Sequence, residues 1–140
     1  MLGTINVVEF GGVSTSRGVL SGTTGSLAPN ATGYITFTGH KSYLLMNVGL
    51  STAGWFRLYT DSASRTNDVS RSVGEDPTPG SGVIAEVVTT GLSTSIKVSP
   101  FVPGGNMDSS PSTNMYVAIK NTSSTTQAIT ANLTILKLED

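Results

Sequence analysis

Apolar residues in this chain fall into short runs, some alternating with polar residues and some solidly aliphatic, and each run ends at glycine, proline, serine or asparagine. Residues 4–10 (TINVVEF), stopped by Gly11-Gly12, read as a first strand. Residues 13–33 alternate glycine, serine and threonine around a Pro29-Asn30 turn signal. They read as loop, or as an arm suited to lie on a neighbouring subunit, with Val19 and Leu20 supporting one short edge strand. Residues 33–39 (GYITFTG) have period two, with Ile35 and Phe37 inward. In residues 42–50, Tyr43, Leu45 and Leu50 are core candidates, and the run Leu44-Leu45-Met46 suits a central strand buried on both faces. In residues 54–60 the alternation assigns Phe56 and Leu58 to the core. Trp55, Arg57 and Tyr59 then form an outward aromatic and cationic stripe.

Residues 61–70 begin with capping-type side chains and support one or two helical turns. Residues 72–82 hold two prolines and three glycines, the composition of a rigid loop. Residues 83–90 and 94–99 read as paired strands across a connection of hairpin length. The prolines and glycines of residues 100–113 indicate a second long loop, and residues 114–120 and 127–138 read as two further strands around a turn at 121–125. About eight short strands with almost no helical periodicity predict one all-β domain over residues 1–140, an antiparallel β-sandwich or jelly roll. No heptad run or internal repeat suggests a fibrous shaft.

Composition narrows the function classes. The 140 residues suffice for one cored domain. Only 12% are charged and the net charge is -1, which gives no electrostatic footprint for nucleic acid. Solubility falls to about 39 serines and threonines. Such a weakly charged surface favours association, and a homo-oligomer is expected. The absence of cysteine excludes disulfides, thiolate metal sites and a cysteine nucleophile. Residues 1–12 lack a basic region before a long apolar run, and no stretch is long enough to span a membrane as a helix. These features predict folding in a cytoplasm, without a signal peptide or membrane partner.

Charge is concentrated in residues 42–91, which hold eight of the seventeen formal charges. Arg57, Asp61, Arg65, Asp68 and Arg71 alternate in sign at three- and four-residue spacing, and a short helix would make ion pairs of Asp61 with Arg65 and of Arg65 with Asp68. Glu86, mid-strand, is expected to bind an arginine, Arg57 or Arg71. The set Arg57, Arg65, Asp68, Arg71 and Glu86 is therefore either a structural network locking the proline loop against the sheet or a contact for a partner chain or anionic ligand. Asp61, Asp68, Glu75, Asp76 and Glu86 offer hard oxygen atoms but match no calcium-loop spacing. Trp55, Tyr59 and Tyr116 could stack on a host sugar, or fill a core or interface. His40 is the sole histidine, no Gly-x-Ser-x-Gly turn occurs, and the adjacent Glu75 and Asp76 point apart rather than facing as glycoside hydrolysis requires. No catalytic residue, cofactor or metal is assigned, and the chain is not expected to be an enzyme.

The segments Ser42-Tyr43-Leu44-Leu45, Trp55-Phe56-Arg57-Leu58-Tyr59-Thr60, Ala63-Ser64-Arg65, Asp68-Val69-Ser70-Arg71, Asp76-Pro77-Thr78-Pro79-Gly80 and GVIAEVVTT at residues 82–90 resemble small virion proteins of tailed bacteriophages, those of cyanobacterial phages above all. YVAIKN at residues 116–121 and AITANLT at residues 128–134 resemble the last hairpin of the same family. Residues 13–33 do not match it. The resemblance implies a structural protein of the tail, baseplate or tail fibre, assembled in the host cytoplasm and packing on itself or on other virion proteins. Capsid decoration, fibre-assembly chaperoning and host-glycan binding are the alternatives it leaves open.

Overall fold

A computed structural model of the chain describes residues 16–140. The strand expected at 4–10 and the first residues of the expected arm lie outside them. Eight strands follow in order: β1 (Arg17–Thr23), β2 (Thr32–Thr38), β3 (Ser42–Leu50), β4 (Gly54–Tyr59), β5 (Val83–Thr89), β6 (Ser95–Gly105), β7 (Asn114–Asn121) and β8 (Thr130–Glu139), with one helix, α1 (Ser62–Asp68), between β4 and β5. They form two antiparallel four-stranded sheets, β1-β8-β3-β6 and β2-β7-β4-β5, packed as a sandwich. This is the jelly-roll arrangement, in which successive strands cross between layers. Six of the seven connections change sheet, and only β4 and β5 are sequence neighbours within one.

That crossing corrects two expected hairpins. β5 and β6 lie in different sheets, so the tight turn closed by Thr90 and Ser93 joins the layers rather than pairing its flanking strands. β7 and β8 are separated likewise. β7 instead pairs with β2 and β4, and β8 with β1 and β3. Turn length specifies that the chain reverses, but not which layer receives it.

The core lies between the sheets and follows the period-two pattern of each strand. Ile35, Phe37, Tyr43, Leu45, Leu50, Phe56 and Leu58 are all buried there as expected, with Val48, Met115, Val117, Ile119, Leu133 and Ile135 completing it. β3 is central, between β8 and β6. Its register shifts against both neighbours between Leu45 and Asn47.

The short edge strand allowed at Val19 and Leu20 is present and longer than expected, and part of the segment read as a second long loop is strand. β1 runs for seven residues along β8, from Arg17 opposite Leu136 to Thr23 opposite Thr130. Leu27, bridged to Gln127, joins the core. β6 continues through Pro100 and Pro103 to Gly105. Proline there costs no ladder hydrogen bond where its nitrogen faces away from β3, because β6 is an edge strand.

Gly104 on β6, opposite Tyr43 on β3, shows how closely neighbouring strands of the first sheet are fitted. A Cβ at this position would sit 2.6 and 2.7 Å from ring carbons of Tyr43 and 2.8 Å from its hydroxyl oxygen, and Tyr43 is 1% exposed. Gly104→Ala is therefore expected to destabilise the domain by about 1–3 kcal/mol, the cost of overpacking a filled core. Urea unfolding followed by the fluorescence of Trp55 measures it, and an unchanged midpoint would refute the fit.

Candidate functional site

The densest polar chemistry lies on the outer face of the second sheet, where β4 presents Trp55, Arg57 and Tyr59. The alternation placed these three correctly on the side away from Phe56 and Leu58. They are not an exposed stripe, however: Trp55, Arg57 and Tyr59 are 2%, 0% and 1% exposed. α1 and the segment after it lie over this face, and every residue of β4 is buried.

α1 is a seven-residue helix, too short to persist alone, so its position depends on what holds its two ends. At its start Asp61 is the N-cap, its Oδ1 accepting from the Ser64 backbone N–H at 2.8 Å and its Oδ2 from the Ser64 hydroxyl at 3.1 Å and the Thr60 hydroxyl at 2.9 Å. The Ser64 amide bond, opposed weakly by burial, holds the Asp61 carboxyl below the usual carboxylate range. At its end Asp68 turns inward onto the sheet.

Asp68 is the hub. Its Oδ1 accepts from Arg71 Nε at 2.7 Å, and its Oδ2 from Arg71 Nη2 at 3.0 Å and from the Tyr59 hydroxyl at 2.7 Å. Arg57 donates through Nη1 to the Asp68 carbonyl at 3.1 Å, and the same nitrogen lies 3.6 Å from Oδ2. Arg71 also reaches Glu86 Oε1 on β5 at 2.7 Å and the Glu75 carbonyl at 2.5 Å. Two carboxylates thus offset two guanidinium groups, and Arg71 bridges the helix end, the loop and the sheet. Burial opposes the charged form of Asp68. Hydrogen bonds from Arg71 and Tyr59, with the charges of Arg71 and Arg57, outweigh it and hold the carboxyl low.

Trp55 completes this cluster as a surface for cations. The Arg57 guanidinium lies 4.0 Å from its ring centroid and that of Arg71 5.0 Å. Arg57 Nε and Nη2 find no acceptor among the described residues, so the indole face and the neighbouring carboxylate are what stabilise that charge.

Arg65 departs from the expected ion pairs. Its side chain bonds neither Asp61 nor Asp68 in the structure. Its Nη1 instead donates to the Ile35 carbonyl at 3.2 Å, the Thr36 hydroxyl at 3.1 Å and the Val117 carbonyl at 3.4 Å, and its guanidinium stacks on Tyr34 at 4.4 Å and Tyr116 at 5.2 Å. The helix is too short to turn Arg65 back on its own acids when backbone acceptors on β2 and β7 lie beneath it. The solvated i,i+4 network is replaced by a clamp onto the sheet.

The expected aromatic triad is divided. Tyr59 and Tyr116 share a small cluster with Ala118, with Val83 packed against it, while Trp55 lies under the two arginines. Tyr116 donates its hydroxyl to Asp108 Oδ2 at 2.8 Å. Asp108 also accepts from Asn106 Nδ2 and the Ser112 hydroxyl, closing the loop between β6 and β7. Sequence reading missed this loop hub and that of Asn121, whose side chain ties Leu27, Ser123 and Thr125. A lone asparagine beside a turn was the only signal of either.

The acids weighed as calcium ligands are dispersed: Asp61 caps the helix, Asp68 and Glu86 bind arginines, and Glu75 accepts from the Ser72 amide. No cluster of three metal-binding side chains occurs among the described residues. An open cleft of about 580 Å³ lies between Asp61, Ser64 and residues 77–83, with Met107 at its rim. Asp61 and Ser64, which cap the start of α1, are part of its lining. Chemically, the whole arrangement fixes a helix and a loop to a sheet, while Glu86 and the loop face solvent.

No protein-family model and no curated protein matches the chain.

Asp68→Asn keeps the shape and removes the charge facing two arginines. A loss of about 3–5 kcal/mol is expected, the cost of leaving buried charge without its partner. The pH dependence has a fixed sign. Asp68, Asp61 and Asp108 all have folded values below the unfolded carboxyl value, so between the two the unfolded chain binds more protons. Their stabilisation is complete above the unfolded value, roughly pH 4, and is lost as pH falls through the folded values. Urea midpoints measured from pH 7 down to pH 2 should show a steeper acid decline for the natural chain than for Asp68→Asn; equal slopes would remove Asp68 from the account.

Proposed function

We propose that the chain is a non-catalytic structural subunit of a tailed-bacteriophage virion, in the tail, baseplate or tail fibre, acting by packing against copies of itself and other virion proteins. One observation carries most of this reading. The arginines, Asp68 and the single tryptophan that looked available to a ligand are consumed in fixing α1 and its loop to the sheet. What remains outside is a serine- and threonine-rich, weakly charged surface on a closely packed scaffold, which suits repeated protein contact.

The strand order agrees with this by analogy, since jelly rolls recur in viral shell domains. They recur in lectins too. Trp55, Tyr59 and Tyr116, the three aromatic residues a sugar platform would need, are all buried, which disfavours the glycan reading. The phage assignment itself rests on the sequence resemblance.

The test is immunogold labelling of purified phage particles with antibody to this chain, together with mass spectrometry of the same particles. Label on the tail, baseplate or fibres is the expected result. Label over the head would replace the tail placement with capsid decoration, and absence from the particle would overturn the structural role.

A further inference from the structure

The two ends of the sandwich are unlike. At one end the connections at residues 24–31, 51–53, 90–94 and 122–129 contain no charged residue. In the three strand residues next to those connections the only charges are Lys97 on β6 and Lys120 on β7. Neither enters an ion pair among the described residues. Leu92 projects from this end fully exposed. It stands at the tip of a turn closed by reciprocal backbone hydrogen bonds of 2.9 and 3.2 Å between Thr90 and Ser93, and the Thr90 hydroxyl accepts from the Leu92 and Ser93 amides. The opposite end, where β4 and β6 finish and β5 begins, holds the cleft of about 580 Å³. Pro77, Pro79, Val83 and Met107 give it apolar walls, Asp61 gives it a carboxylate, and no basic residue lines it. Two further acids adjoin it in the chain, Asp76 before Pro77 and Asp108 after Met107.

We infer that copies of the chain join head to tail, the 90–94 turn of one, led by Leu92, seated in the cleft of the next. This rests on the proposed packing of the chain against copies of itself and supplies the two surfaces. A lone exposed leucine is ordinary on a protein surface, so placement, shape and charge carry the case. Val83 lines the cleft and Thr89 enters the turn, so β5 connects the two along one edge of the sandwich, over about 20 Å. A shift along β5 therefore brings the turn of one copy to the cleft of another. Both surfaces are preformed. The cleft wall is held by the Ser81 amide on the Thr78 carbonyl at 3.0 Å and the Thr60 amide on the Gly82 carbonyl at 2.9 Å. Little ordering is then lost on contact. A cleft of this volume, in the range that small ligands fill, takes the tip of a turn. In the head-to-tail contact Lys97 and Lys120 approach Asp61, Asp76 and Asp108. Turn against turn, or cleft against cleft, would set like charges together, so the charges favour a heterologous contact over a two-fold one.

Sedimentation velocity of the purified full chain over a range of concentrations tests this, with Leu92→Asp and, separately, Met107→Asp. Both replace exposed side chains, and native Trp55 emission with an unchanged urea midpoint verifies the fold. The natural chain is expected to associate, and either substitution to weaken association by about tenfold or more. An equimolar mixture of the two variants should form one-to-one dimers and stop there, because one keeps its cleft and the other its turn. The chain has no cysteine, so Leu92→Cys and Thr78→Cys chains mixed under oxidation should join to each other faster than either joins to itself. Unchanged association of both variants would overturn this interface and leave self-packing standing. A natural chain that stays monomeric at every concentration would overturn both. A mixture that fails to dimerise, or Leu92→Cys joining mainly to itself, would overturn the head-to-tail arrangement.

Discussion

Arg57 is a cation with no exposed surface, projecting from a central strand on the side away from the core, and the covering of the second sheet depends on neutralising it. A charge so placed is costly unless opposite charge and polarisable surface lie against it. Asp68 and Trp55 supply both. Asp68 can do so only from the end of α1, and α1 can end there only because Asp61 caps its start and Arg65 ties its middle to β2 and β7. Arg71 then extends the same carboxylate to Glu86 and to the loop carbonyl at Glu75. Helix, proline loop and sheet are thus held by one set of partners, and removing any one leaves another group buried without compensation.

This arrangement explains why the most charged part of a weakly charged chain is not its most reactive part. Local density of charge is often read as a site. Here the density is set by the need to lay polar backbone over a sheet face that carries Trp55 and Tyr59. The three loop glycines serve the same end, since Gly74, Gly80 and Gly82 all adopt positive φ, and a Cβ at Gly82 would collide with the Ser64 and Thr60 side chains beneath it.

Much of this was legible in the residues, and the division is physical. Period-two alternation reports which side of a strand is apolar, so Ile35, Phe37, Phe56 and Leu58 could be assigned inward. It is silent on what covers the other side. Trp55, Arg57 and Tyr59 therefore had the right face and the wrong exposure. Glu86 could be expected to meet an arginine, because a carboxylate in the middle of a strand needs one. Strand partners were hidden: a link as short as residues 90–94 between β5 and β6 serves a hairpin and a crossing between layers equally, and only the packing of the whole distinguishes them. Prolines concealed the second half of β6 because their effect on a strand depends on whether it lies at an edge, which is a property of the assembled sheet.

The place of β8 has a consequence for how the chain reaches this state. β8 is the last of the eight strands, yet it lies between β1 and β3 and joins them into one sheet. A ribosome delivers β1 and β3 long before their common neighbour, so β1 must wait with an open edge while residues 24–129 are added, and β3 while residues 51–129 are. Pairings so distant in sequence make for slow folding and exposed edges in the interval. The first sheet can close only once β8 has emerged, so the edges of β1 and β3 stay open to a neighbouring nascent copy throughout the making of the strands between.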